Sequence, residues 1–201
     1  ESHTQEAVCK AVHDGFIEPI LVCSKETMED YAKKNAFQSI LAESPEDAAR
    51  KAVEIVRRGD ADIVMKGFLN TDVLLRAILD KEVGILPKDT VLTHITVAKL
   101  PEYPKLLFFT DAAVIPAPND KQRRAQVQYI VDFCHAFEIE CPKIALIHCS
   151  EKVDERHFPY TASYRALKAE SETGAFGKCT IDGPLDLITS CSVEAMKIKQ
   201  I

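Results

Sequence analysis

The chain has 201 residues, 46% of them hydrophobic, with 25 Lys+Arg against 31 Asp+Glu and a formal net charge of −6. That apolar share supports a packed core in one large or two small domains. The acidic balance excludes a general nucleic-acid binder, which needs a basic face, but it leaves room for a small anion in a local Lys/Arg pocket. No apolar run has the length of a bilayer-spanning helix and no basic, apolar leader opens the chain, so no membrane partner is expected and the setting reads as cytoplasmic.

Taken in order, helices and strands alternate. Residues 4–13 read as a helix with Ala7, Val8, Ala11 and Val12 on one face, ending at Gly15. Residues 19–23 read as a short apolar strand, 25–34 as a helix with Met28, Tyr31 and Ala32 inward, and 37–41 as a strand. Ser44-Pro45-Glu46-Asp47 is a strong helix start: a serine cap, proline at the first helical position and acids in the first turn. That helix carries Ala49, Ala52, Val53 and Val56 inward and stops at Gly59 behind Arg57 and Arg58. Residues 63–65 follow as a strand and 71–79 as a helix.

After Gly84 the rhythm changes. Residues 91–100 and 105–110 read as successive strands joined by Pro101-Glu102-Tyr103-Pro104, which suggests a hairpin or an added edge. Residues 121–137 form a long amphipathic helix with Val127, Ile130, Val131, Cys134 and Phe137 on its buried stripe. A buried strand at 144–149, a helix at 160–171, a short strand at 178–181 and a last helix from Pro184 complete the chain. The pattern is α/β, mainly parallel strands covered by helices. A boundary in the Gly/Pro turn at 84–89 divides it into residues 1–86 and 87–201.

The seven cysteines, Cys9, Cys23, Cys134, Cys141, Cys149, Cys179 and Cys191, contain no C-x-x-C pair. They read as reduced core thiols and indicate neither a zinc knuckle nor a redox motif. No histidine pair has metal-ligand spacing, and His148 and Cys149 are expected on opposite faces of one strand, unable to share a metal. No glycine-rich dinucleotide fingerprint or Walker loop is present.

Ligands of open α/β sheets sit at the carboxyl ends of the strands. That rule points to the loops at 66–71, 110–118, 149–161 and 182–186. The first is the best anion site: an apolar run stops at Lys66-Gly67, and a helix opens at Asn70-Thr71 with Arg76 one turn inside. The free N–H groups of such a helix start face an anion, and glycine lets the backbone approach it. Arg76 lies away from the apolar positions Leu74, Leu75 and Ile78. Asp111 ends a strand and is a weak candidate for a catalytic base. On pattern alone His94 is a satisfied or exposed strand histidine.

The phrases Lys66-Gly67-Phe68-Leu69-Asn70-Thr71-Asp72-Val73-Leu74-Leu75-Arg76, Thr93-His94-Ile95, Phe109-Thr110-Asp111-Ala112-Ala113-Val114 and Asp182-Gly183-Pro184-Leu185-Asp186 stand in one order. Together with the opening Ser2-His3-Thr4-Gln5-Glu6-Ala7-Val8 they resemble the phosphate acetyl/butyryltransferases, and the phosphate butyryltransferase branch most. The resemblance runs along nearly the whole chain. It implies a three-layer αβα fold of the isocitrate/isopropylmalate dehydrogenase type, with two α/β domains and a cleft between them. It implies reversible transfer of a short acyl group, butyryl or similar, between coenzyme A and inorganic phosphate, with coenzyme A a substrate and no further cofactor or metal, in a homo-oligomer. Carried over by residue, Gly67, Asn70 and Thr71 line the acyl-phosphate site, Arg76 is the ligand-binding arginine of the next helix, and Lys66 and His94 join the phosphate-binding set. The loop after Asp111 departs from the family, reading Ala113-Val114-Ile115-Pro116 where many members place asparagine after the valine. The family's first strand, and a C-terminal segment with a Ser-Arg motif and an aspartate, are expected to lie outside this sequence, so the 201-residue chain is expected to lack part of the catalytic set. Two rivals remain open on the residues: a dehydrogenase or decarboxylase of the same fold acting on an anionic substrate, and a phosphate-binding fragment without chemistry.

Overall fold

The computed structural model describes residues 2–101 and 103–200, the side chain of Ser2 excepted. It divides into two compact units, residues 1–89 and 90–201. Each is mixed α/β, and the sheets among the described residues are small: three pairs of strands.

In the first unit, helix α1 (Ser2–His13) precedes strand β1 (Ile20–Cys23), which pairs in parallel with β2 (Gln38–Leu41), Ile20 opposite Gln38. Between them α2 (Lys25–Thr27), capped by Ser24, runs on as a π-helical turn over Met28–Ala32. Helix α3 (Pro45–Arg58) forms as its sequence dictates. The Ser44 hydroxyl accepts the Asp47 N–H at 3.1 Å, and Gly59 closes the last turn at φ +79°, a conformation that a Cβ disfavours. Its apolar stripe packs on α4 (Thr71–Ile78) through buried Ala49, Val53 and Leu74, with Val64, Leu69, Ile78 and Ile85 around them.

The strand expected at 63–65 does not form. Ile63 is 80% exposed and Met65 60%, while Val64 joins the α3–α4 cluster. An apolar run makes a strand only where a neighbour completes its ladder, and none of the described strands pairs with it. The helix expected over 25–34 is likewise a short α-helix that widens into the π-turn.

The second unit opens with an antiparallel hairpin of β3 (Thr96–Lys99) and β4 (Leu106–Phe109), Thr96 opposite Phe109. The long helix α5 (Asp120–Ala136) starts in a capping box in which Asn119 and Gln122 exchange hydrogen bonds of 2.9 Å. Strands β5 (Lys143–Ile147) and β6 (Thr180–Leu185) pair in parallel and flank α6 (Thr161–Glu172) in the chain. Val127, Leu146, Tyr164, Leu167, Phe176 and Ile181 form the core. Two short helices follow, α7 (Leu187–Cys191) capped by Asp186 and α8 (Val193–Lys199) capped by Ser192.

Three expectations are corrected here. The strand at 91–100 is confined to Thr96–Lys99, because the Thr93–His94 segment is tied to Asp111 and not to a ladder. Gly183-Pro184 opens no helix; both residues lie within β6, and α7 begins only after Asp186. There Gly183 sits at φ +142°, and a Cβ would come within 2.7 Å of the Leu146 carbonyl oxygen, so close strand approach requires glycine. Finally, β5 ends at Ile147, so His148 and Cys149 do not alternate as strand residues.

Candidate functional site

The expected site residues fall on both units. On the first, Lys66, Gly67, Asn70, Thr71 and Arg76 form one continuous feature. Residues 60–70 form a mostly exposed segment without regular secondary structure that leads into α4, with Val64 and Leu69 packed against the α3–α4 cluster. Asn70 takes the cap position with φ −64° and ψ 139°, and its carbonyl accepts the Val73 N–H at 3.2 Å. Its side chain makes no capping bond, unlike those of Ser44, Asn119, Asp186 and Ser192. The first-turn N–H groups of α4 therefore keep their outward direction without a side-chain acceptor.

Gly67 is open: a Cβ there would meet no protein atom within 4 Å. Packing within the unit does not call for glycine at this point. Lys66 folds its ammonium back to the Gly67 carbonyl at 3.3 Å. Arg76 is 83% exposed and pairs with Asp72 one turn earlier at 3.5 Å. Helical side chains lean toward the N-terminus, so this pairing carries the guanidinium back over the first turn of α4. Beside it lies a groove of about 240 Å³ between α3 and α4, lined by Arg50, Val53, Val73, Ala77 and Asp80 among others. The N–H groups of Val83 and Glu82 hold the Asp80 carboxyl below its ordinary range.

On the second unit, Asp111 gathers the Thr93-His94 phrase around itself. One carboxylate oxygen accepts the Thr93 hydroxyl at 2.7 Å and the His94 N–H at 3.1 Å; the other accepts the N–H groups of Ala113 and Val114, both at 2.8 Å. Burial pushes the carboxyl up, but these four hydrogen bonds outweigh it and hold it down at about 2. Gln126 of α5 reaches the Thr93 hydroxyl at 3.4 Å, and the His94 ring lies 3.4 Å from the Thr96 hydroxyl. A carboxylate with both oxygens doubly engaged anchors a loop well and accepts a proton poorly.

In the fourth expected loop, Asp182 accepts the Lys168 ammonium at 2.6 Å and the Gly183 N–H at 2.9 Å. Burial raises its carboxyl, and these bonds more than offset that, for a net lowering. Asp186 accepts the Thr189 N–H and hydroxyl, each at 2.8 Å, and pairs with Lys199, which also reaches Glu151. These acids hold the sheet end and α7 together.

Two features escaped the sequence reading. Arg123 is buried on α5, donating to Asp120, Ser163 and the Pro118 carbonyl at 2.8–3.0 Å. Its position on the polar side of a helix start gives no such signal. The other is a cluster beyond β5: the Cys149 sulfur lies 3.6 Å from His148 Nε2, not across the sheet from it. Among the described residues, no group of three or more His, Cys, Asp or Glu side chains is placed to hold a metal ion, and no helix is long and apolar enough to cross a membrane.

Comparison with known proteins bears on what such a loop serves. A family model described as phosphate acetyl/butaryl transferase matches residues 23–200. The phosphate butyryltransferase of Clostridium acetobutylicum is 36% identical over 201 residues, covering 98% of this chain and 66% of its own. The phosphate acetyltransferase of Thermotoga maritima is 29% identical over 205 residues, covering 100% and 69%. Among solved structures, a branched-chain phosphotransacylase from Enterococcus faecalis superposes with a TM-score of 0.80 at 25% identity, over 97% of this chain and 69% of that one. A phosphotransacetylase from Staphylococcus aureus shares the fold, with a TM-score of 0.69 at 13% identity over 99% and 70%. The chain thus spans about two thirds of the length of these relatives. The match takes in the open loop at Gly67, the uncapped start of α4 and the Asp111 anchor alike, and the chain belongs to the phosphate acetyl/butaryl transferase family.

Proposed function

We propose that the protein transfers a short acyl group, butyryl or similar, between coenzyme A and inorganic phosphate, with coenzyme A as substrate. The observation that carries this reading is the family match across residues 23–200. The geometry of the first unit supports it: an open glycine and an uncapped helix start stand beside Lys66 and Arg76. In the proposed site the phosphate of the acyl phosphate meets the N–H groups of α4, with Asn70 and Thr71 at its edge and the two cations flanking it. Charge-assisted hydrogen bonds of this kind contribute about 1.5–3 kcal/mol each, and the helix start adds a smaller dipole contribution. On the second unit, His94, its backbone N–H held by Asp111, is proposed as a substrate-binding residue.

The chemical step is attack of a thiol on the acyl carbon with phosphate leaving, or its reverse. The protein's task is to desolvate two anions, orient them and stabilise charge on the carbonyl oxygen. The thiol, ordinarily near pKa ~8.5, needs a proton acceptor at neutral pH; the engagement of Asp111 with four donors favours an anchoring role for it. The finer fold is part of the proposal: a three-layer αβα arrangement of the isocitrate/isopropylmalate dehydrogenase type, working as a homo-oligomer in the cytoplasm.

The test is to incubate the full-length protein with butyryl-CoA, with and without phosphate, and to follow release of the coenzyme A thiol. Catalytic thiol release is expected only with phosphate present and indifferent to added NAD. No phosphate-dependent thiol release from butyryl-CoA or acetyl-CoA would overturn the reading.

A further inference from the structure

We propose that Arg123 is a positioning residue for the acyl-transfer reaction: from inside the second unit it fixes the loop that follows Asp111. The role in the reaction rests on the acyl-transfer reading; the hold on the loop rests on the second unit alone.

Arg123 is 8% exposed, whereas the side chain of its acidic partner Asp120 is 83% exposed. An ion pair with so wet a partner does little to offset the burial of a guanidinium. For stability alone, a well-packed apolar side chain would serve this position as well or better. What arginine adds is a planar fork of donors with fixed directions. Nη1 donates to the Ser163 hydroxyl of α6 at 2.8 Å as well as to Asp120, and Nη2 donates to the Pro118 carbonyl at 2.8 Å. The guanidinium carbon lies 5.6 Å from both the Tyr160 and the Tyr164 ring, within cation–π range.

The Pro118 carbonyl closes the loop at 110–118, which follows the carboxyl end of β4. Asp111 holds the other end. One of its oxygens accepts the Ala113 and Val114 N–H groups, and the other accepts the Thr93 hydroxyl and the His94 N–H. Between the two anchors Ala112, Ala113, Pro116 and Ala117 are exposed. Helix α5 holds the Thr93 side as well. Gln126, about one turn beyond Arg123 on the same face, is buried and donates to the Thr93 hydroxyl at 3.4 Å. Further along, the Tyr129 hydroxyl accepts the Val91 N–H at 3.3 Å. The polar face of α5 thus grips both the segment that carries His94 and the far end of the Asp111 loop. The two rings against Arg123 extend the hold to the end of β5: Tyr164 donates to the Ile147 carbonyl at 3.0 Å, and the Tyr160 hydroxyl lies 2.9 Å from His148 Nδ1.

Such a loop governs rate through alignment, where a misplacement of about 1 Å by a change far from the chemistry costs about 100-fold. The residues read as holding phosphate, Lys66 to Arg76, belong to the first unit. The loss on removing Arg123 therefore falls on turnover and not on phosphate saturation, the reverse of what Arg76→Ala does.

The experiment measures thiol release from butyryl-CoA against phosphate concentration for full-length wild type, Arg123→Met and Arg123→Lys, with urea unfolding and amide hydrogen exchange on the same preparations. Arg123→Met is expected to lower kcat by about tenfold or more and to keep half-saturating phosphate within about threefold of wild type. Its unfolding midpoint stays near wild type, because methionine fills the space and the Asp120 carboxylate left behind is solvated. Amides at 112–117 exchange faster in that variant, while β5 and β6 keep their protection. Arg123→Lys keeps the charge but not the fork, and recovers part of the lost kcat. Should Arg123→Met fail to fold, Ser163→Ala takes its place: it removes one acceptor of the fork and slows turnover several-fold at an unchanged midpoint. A folded variant with wild-type kcat overturns the proposal, as does a kcat loss that only follows a fallen midpoint with exchange at 112–117 unchanged. Wild type without thiol release sinks the acyl-transfer reading and this role with it, whereas active wild type with equally active variants sinks this inference alone.

Discussion

Replacing Asp111 by asparagine tests how the Thr93–His94 segment is held. The carboxylate accepts four hydrogen bonds, two on each oxygen. An amide keeps one oxygen and turns its NH2 toward two donors. If each lost bond to a charged acceptor were worth about 1.5–3 kcal/mol, the total would reach about 3–6 kcal/mol. Asp111 is half-buried, however, and water can replace part of that loss. The carboxyl gives a second measure. Its fall from 3.8 to about 2 corresponds to about 2.4 kcal/mol at about 1.36 kcal/mol per unit. Discounted for solvent screening, this becomes about 1–2 kcal/mol. The folded pKa is the lower one, so the contribution is full above the unfolded value near 3.8 and is lost as the pH falls through about 2. Urea unfolding of wild type and Asp111→Asn at a series of pH values is the assay. The expected gap is about 1–2 kcal/mol at pH ~7, shrinking steadily below pH ~4. A gap under about 0.5 kcal/mol at neutral pH, or one that persists unchanged toward pH ~2, would refute the anchor.

Three further outcomes are expected. Arg76→Ala in the full-length protein lowers acyl-transfer efficiency by more than about tenfold with no shift in the unfolding midpoint, since the side chain is 83% exposed; unchanged phosphate saturation and turnover would remove Arg76 from the site. Gly183→Ala forces a Cβ to 2.7 Å from Leu146 at φ +142° and should cost about 1–3 kcal/mol by thermal unfolding; a neutral result would show that β5 and β6 are not so closely apposed. Ser44→Ala removes the bond to the Asp47 N–H and should destabilise the first unit by about 1 kcal/mol, read as a lower urea midpoint, while a midpoint equal to wild type would deny the cap its role.

The helices were legible because their ends are written in local chemistry. Ser44-Pro45 and Gly59 bound α3 where expected, and Val127, Ile130, Val131 and Cys134 of the expected stripe are buried on α5, while Phe137, expected with them, sits at the end of that helix 47% exposed. The hairpin after Gly84 was legible too, from two apolar runs across a Pro-rich turn. What failed depended on partners distant in sequence. Ile63 to Met65 has strand composition, but pairing needs a neighbour that composition does not supply. Thr93 and His94 leave the strand because Asp111, 17–18 residues on, takes their donors. Gly183-Pro184 has turn chemistry, yet close approach to Leu146 keeps it in β6. The anion loop was visible as a spacing of Lys66, Gly67, Thr71 and Arg76. The Asp111 hydrogen bonds, buried Arg123 and the Tyr160–His148 contact were not, since each depends on how loops fold back.

Phosphate, on the proposed reading, is a substrate held at the start of α4. The most direct measurement is the initial rate of thiol release from butyryl-CoA by the full-length protein against phosphate concentration, for wild type and Arg76→Ala. The expected rate is zero without phosphate, saturates with it, and requires markedly more phosphate to saturate in the variant. Thiol release that is independent of phosphate, or absent at every concentration, would contradict it.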